Sequence, residues 1–116
     1  MRPFLTLHHP TQAQLYYEQG VWRAETFYGL LARHSEERPE AIALQDGRRK
    51  LTWKELREWV DGVAADLLAR GIAGGDRVAI WMSNRVEPVV MFLACAREGL
   101  ACNPSLHRTF TCAEIG

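Results

Sequence analysis

Gly74 to Leu106 reads GGDRVAIWMSNRVEPVVMFLACAREGLACNPSL, and this stretch decides the fold. Five apolar residues, Val78 to Met82, stand between Arg77 and Ser83. A continuous apolar run of this length suits a strand covered on both faces, as in a parallel sheet. Glu87 to Glu98 is too long and too rich in alanine, leucine and methionine for another strand, and reads as a crossover helix. Gly99 stops that helix, and Leu100-Ala101-Cys102 begins a second strand. The sum is one βαβ unit, hence the α/β class. One such unit is not a sheet, so the chain is expected to be an incomplete part of a larger α/β domain.

The capping signals extend outward from there. Thr52-Trp53-Lys54-Glu55 has the form of a capping box, in which the Thr hydroxyl accepts from the Glu amide and the carboxylate reaches back to the Thr amide. The helix it starts runs to about Arg70. Its expected apolar face is Leu56, Trp59, Val60, Val63, Ala64, Leu67 and Leu68, and Gly71 supplies a left-handed cap. Asn84 with Glu87 offers another capping box, with Pro88 tolerated in the first turn. Upstream, Thr26 caps a helix from Phe27 to about Arg38, with Phe27, Leu30, Leu31 and His34 on one face, and Pro39 ends it. Ala41 to Gln45 and Arg49 to Thr52 are strands joined at Asp46-Gly47, a strong hairpin signal. Residues 1–24 read as a leader. Thr11 to Gln14 caps its short helix, Gly20 stops it, and Tyr16, Tyr17 and Trp22 are expected to dock on the body in residues 25–116. Thr111 to Glu114 announces one more helix with only two residues left, the mark of a truncated domain.

The charge is balanced, with 14 basic and 14 acidic residues. That balance removes the electrostatic argument for a nucleic acid partner or an anionic membrane surface. The N-terminus, MRPFLTLHHP, has no apolar signal core. No apolar run approaches the roughly 20 residues of a membrane span. Cys95, Cys102 and Cys112 form no CxxC pair, and read as reduced thiols of a cytoplasmic protein. His107, five residues from Cys102 and from Cys112, matches no common zinc spacing.

Several motifs fall in one order: Thr52-Trp53-Lys54-Glu55-Leu56, then Gly71 to Ala79, then Asn84 with Glu87, then Ala94 to Pro104. In this the chain resembles the start of the adenylate-forming superfamily: acyl-CoA synthetases, aryl-CoA ligases, luciferases and peptide-synthetase adenylation domains. The likeness covers about Glu25 to Gly116. Trp53 stands where the family commonly has tyrosine. The Cys102 to His107 stretch and the leader YYEQGVW look like the cyclohexanecarboxylate-CoA ligase branch. The resemblance implies an N-terminal portion of the large AMP-binding domain. For the parent protein it implies a two-step reaction: a carboxylic acid and ATP give an acyl-adenylate and pyrophosphate, and the CoA thiol then displaces AMP. ATP, Mg²⁺ and CoA are thus implied for the parent, and none is expected on this fragment, whose direct partner is the remainder of its own polypeptide. An adenylation domain feeding a carrier protein and a luciferase-like enzyme share the fold. A non-catalytic interaction module is the alternative of a different class.

No catalytic, cofactor-binding or metal-ligating residue is assigned within the chain. No Ser/Thr/Gly-rich loop is followed by Pro-Lys. The glycines of Gly71 to Gly75 follow a helix and precede a strand, whereas a phosphate cradle needs the reverse order, so they read as cap and turn. Ser83-Asn84-Arg85 falls at the C-terminal end of a parallel strand, where open α/β sheets bind ligands. An anion there is weighed against a plain helix cap with a solvated arginine, and the plain cap is preferred. His107-Arg108 reads as a surface pair and Glu36-Glu37 as a solvated helix end. The dispersed Trp22, Trp53, Trp59 and Trp81 read as packing residues.

Overall fold

In a computed structural model, residues 8–105 and 111–115 are described. The elements run α1 (Pro10–Glu18), α2 (Phe27–Glu37), β1 (Ile42–Gln45), β2 (Lys50–Thr52), α3 (Trp53–Ala69), β3 (Arg77–Ile80), α4 (Val86–Glu98), β4 (Ala101–Pro104) and α5 (Cys112–Ile115). The expected α/β arrangement of helices, hairpin and one βαβ unit is present. β3 pairs with β4 in parallel, with Val78 opposite Cys102 and Ile80 opposite Pro104. β1 and β2 form a separate antiparallel pair.

Local chemistry explains most element ends. Thr52 Oγ1 accepts from the Glu55 amide at 3.2 Å, and Glu55 Oε2 accepts from the Thr52 amide at 2.8 Å, the full reciprocal box. Thr26 Oγ1 accepts from the Gly29 amide at 3.0 Å and starts α2. α4 ends at Gly99 with φ +68°, a left-handed conformation that needs no Cβ. The turn lets the Leu100 amide reach the Cys95 carbonyl at 2.9 Å, and the chain enters β4.

Helices α2, α3 and α4 close the core around Leu31, Leu56, Val60, Ala64, Leu67, Val90, Ala94, Cys95 and Leu100. Val60, Ala64, Ala94 and Cys95 have no exposed surface. A charged seam runs along the same three helices: the Tyr28 hydroxyl donates to Asp61, Arg97 lies 3.4 Å from Asp61, and Arg57 donates to Ser35 at 3.0 Å.

Four expectations need correction. Helix α1 begins at Pro10, whose missing N–H suits a first helical position; His9 holds the cap position without a side-chain bond, and Thr11 lies inside the first turn. Asn84 and Glu87 form no capping box, because α4 starts at Val86 and Arg85 takes the cap position, again without a side-chain bond. Leu68 is 47% exposed, since it sits at the edge of the α3 stripe that Leu67 anchors. The strand covers Arg77–Ile80 only; Trp81 and Met82 lie beyond it and are exposed, and Ala79 faces outward. In the leader, Tyr16 and Tyr17 gather on Trp22, with ring centroids 5.1 Å and 5.7 Å away. His107 and Arg108 lie outside the described residues.

Candidate functional site

The C-terminal edge of the β3/β4 pair is where an open α/β sheet would place a ligand. There a cleft of about 290 Å³ is lined mainly by Ile80, Met82, Asn84, Pro88, Val89 and Pro104. Its walls are largely apolar. Ser83, Asn84 and Arg85 are all exposed along its rim.

An anion bound at this edge would need free amides at the start of α4. They are not free. Asp46 Oδ2 accepts from the Val86 amide at 3.0 Å, and Pro88, two residues on, has no N–H to offer. The chain's own carboxylate therefore holds the positive end of the helix dipole. Asp46 Oδ1 also accepts from the amides of Arg48 and Arg49, each at 2.7 Å. These backbone donors hold the Asp46 carboxyl below the usual carboxylate range; the Arg48 amide contributes most, then Arg49, then Val86. One side chain both closes the hairpin turn and starts a helix. No local motif announces the second role, because donor and acceptor lie 40 residues apart.

The surrounding charges are partly engaged with each other. The Arg49 guanidinium lies 5.0 Å from the centre of the Trp59 ring and 4.0 Å from Glu87 Oε1. Glu87 Oε2 is buried without a hydrogen-bond partner. The glycine stretch is structural: Gly71 and Gly75 have φ of +82° and +90°, and the Gly75 amide donates to the Gly99 carbonyl at 2.9 Å. A second cavity of about 280 Å³ lies between α2, the hairpin, α3 and α4. It is walled mainly by Phe27, Leu31, Trp53, Leu56 and Leu93. Its His34 ring lies tilted against Trp53, at 4.7 Å between centroids.

Among the described residues, no group of three His, Cys, Asp or Glu side chains converges as metal ligands would. At the start of α4 the Val86 amide is engaged and Pro88 has no N–H, so few donors face this edge. No helix among the described residues is long and apolar enough to cross a membrane.

The sequence pattern of the AMP-binding enzyme family matches residues 31–115. The chain belongs to that family, within the adenylate-forming superfamily. A family relative from a Streptomyces species, a salicylyl-CoA synthase / salicylate adenylyltransferase, is 35% identical over 89 residues, which cover 77% of this chain and 16% of the relative. The chain thus spans about a sixth of that relative's length. The apo structure of Mycobacterium smegmatis MbtA superposes with a TM-score of 0.81 at 30% identity, over 89% of this chain and 20% of the other. NpsA-ThdA from Klebsiella oxytoca, an artificially fused adenylation–PCP di-domain, gives 0.67 at 28% identity, over 74% of this chain and 16% of the other. The fold of helices, hairpin and βαβ unit is accordingly that of the corresponding region of adenylation enzymes.

Proposed function

We propose that this segment is the N-terminal scaffold of an ATP-dependent, AMP-forming acid–CoA ligase. The carrying observation is the family match over residues 31–115, joined to the likeness to a salicylyl-CoA synthase. The polypeptide that carries the segment activates a carboxylic acid. The acid oxygen attacks the α-phosphate of ATP and pyrophosphate leaves. The CoA thiol then attacks the acyl carbon and AMP leaves. ATP, Mg²⁺ and CoA are the implied partners, and the compartment is the cytoplasm. The acid is cyclic: the branch resemblance in the leader and the salicylate relative both point to a ring-bearing carboxylate.

This segment's own contribution is architectural. Asp46 ties hairpin to helix, α3 and α4 build the core, and β3 and β4 form a parallel pair. The groups that neutralise phosphate charge in the reaction belong to other parts of the polypeptide.

A carrier-protein acceptor in place of CoA is the second reading, favoured by the likeness to an adenylation–PCP di-domain. The acceptor is tested on the polypeptide carrying this segment. It is incubated with ATP, Mg²⁺ and a panel that includes cyclohexanecarboxylate and salicylate, with CoA or with a phosphopantetheinylated carrier protein. Formation of an acyl-CoA supports the ligase. Loading of the carrier with no acyl-CoA supports the second reading and overturns the first.

A further inference from the structure

His34 sits in the last turn of α2, half-buried, with its ring 4.7 Å from the ring of Trp53. Its Nδ1 atom has two rival neighbours. Arg38 Nη2 lies 3.1 Å and Glu37 Oε2 4.0 Å from that same nitrogen. Arg38 holds the C-terminal cap position of α2, and its amide donates to the His34 carbonyl at 2.9 Å, so the turn keeps the two residues together. The Arg38 guanidinium also stands 5.8 Å from the centre of the Trp53 ring. The residues that wall the cavity with His34 from the hairpin, α3 and α4 include Ala43, Leu44, Trp53, Leu56, Val89 and Leu93, and none is charged. Among the described residues, the charged neighbours of the His34 ring are therefore Glu37 and Arg38.

A guanidinium has donors and no acceptor. The 3.1 Å contact is a hydrogen bond only while Nδ1 keeps its lone pair, which puts the proton of the neutral ring on Nε2. We propose that His34 is a proton switch at the end of α2, which trades Arg38 for Glu37 when the ring is protonated. Imidazole is the side chain that ordinarily changes charge between about pH 5 and 8. In the neutral ring, Nδ1 accepts from Arg38. A proton arriving from solvent at Nδ1 turns that bond into a contact between two cations, and Arg38 is driven off. The new N–H faces the Glu37 carboxylate, which closes from 4.0 Å to a charge-assisted hydrogen bond. The positive ring also gains from its place at the C-terminal end of the helix dipole. One proton thus ties the last turn of α2 to itself and frees the guanidinium from the face of Trp53. The device spans two elements, because Trp53 is the first residue of α3.

The test is nuclear magnetic resonance on the full chain, labelled with ¹³C and ¹⁵N and followed from about pH 8.5 down to about pH 5. The imidazole nitrogens, the arginine guanidinium groups and the glutamate carboxyl carbons are read together. At the alkaline end the expected His34 pattern is a bare Nδ1 and a protonated Nε2. On acidification the Arg38 guanidinium and the Glu37 carboxyl carbon should move along the same curve as the His34 ring. In His34→Gln both of those steps should vanish. The switch is overturned if Nδ1 carries the proton at the alkaline end, or if Arg38 or Glu37 ignores the His34 curve. It is also overturned if the Arg38 step survives in His34→Gln. Should that variant fail to fold, the tautomer and the shared curve of the wild type still decide.

Discussion

The Asp46 carboxylate accepts a hydrogen bond from the Val86 amide at 3.0 Å, so the β-hairpin caps the crossover helix 40 residues further on. This contact joins the antiparallel β1–β2 pair to the βαβ unit. It also places a carboxylate on the first amide of that helix.

Replacing Asp46 should loosen both ends of that link. The folded chain binds the ionised carboxylate preferentially, because three backbone amides point at it and its pKa lies below the ordinary 3.8. Its stabilisation is therefore complete above that ordinary value and is lost as pH falls through the lower folded value. Asp46→Ala is expected to melt at lower temperature than the wild type at neutral pH. The gap should close on strong acidification. Thermal melts across the acid range check this, and a gap that persisted unchanged at the lowest pH would contradict it.

Thr52→Ala removes one arm of the reciprocal cap on α3. A loss of roughly 0.5–2 kcal/mol is expected by urea unfolding. Thr111→Ala should cost far less, since α5 is a four-residue turn that starts at exposed positions. Equal losses at the two positions would refute the assignment of α3 as the stabilising helix.

Leu56 and Leu68 share α3 but not its environment. Leu56 is 3% exposed and Leu68 47%. Leu56→Ala should destabilise the fold by about 2–5 kcal/mol, the usual cost of emptying a packed leucine site. Leu68→Ala should change little, because its side chain is already largely in water. Parallel unfolding curves of the two variants decide the point.

The contrast between these leucines shows what is legible in the sequence. Thr26, Thr52, Gly71 and Gly99 are readable because each acts on residues only a few positions away, where spacing alone specifies the contact. Spacing misplaces Leu68, because positions at the margin of a helical stripe are buried only if a neighbour reaches them. Asn84 carries a sound local pattern, yet the helix begins two residues later, with a distant carboxylate on its first amide. A contact between Asp46 and Val86 leaves no periodic trace. The site is legible in the same uneven way. The glycines of residues 71–75 are cap and turn, as their order between helix and strand implies. That the first helix amide after Ser83 to Arg85 is engaged depends on a hairpin far upstream.

Burial pushes the Cys95 thiol up to about 11, with the nearby Cys102 charge and hydrogen bond adding to it. The fold thus favours the neutral thiol. This contribution is present below the ordinary value of 9.0 and is lost as pH rises through about 11. Under reducing conditions, wild-type stability should fall across that alkaline window. Cys95→Ala should show a shallower fall, whatever its stability at neutral pH. Urea midpoints measured from pH 8 upward test this, and identical slopes would contradict it.

The central claim is that this segment is scaffold for acyl-adenylate formation and does not itself hold the nucleotide. Acid-dependent exchange of labelled pyrophosphate into ATP tests it most directly. It is measured on the 116-residue chain and on the polypeptide that carries it, with the same panel of cyclic carboxylic acids. The account predicts exchange with the longer polypeptide and none above blank with the 116 residues alone. Sustained exchange by the 116 residues, or none by the longer polypeptide with any acid, would contradict it.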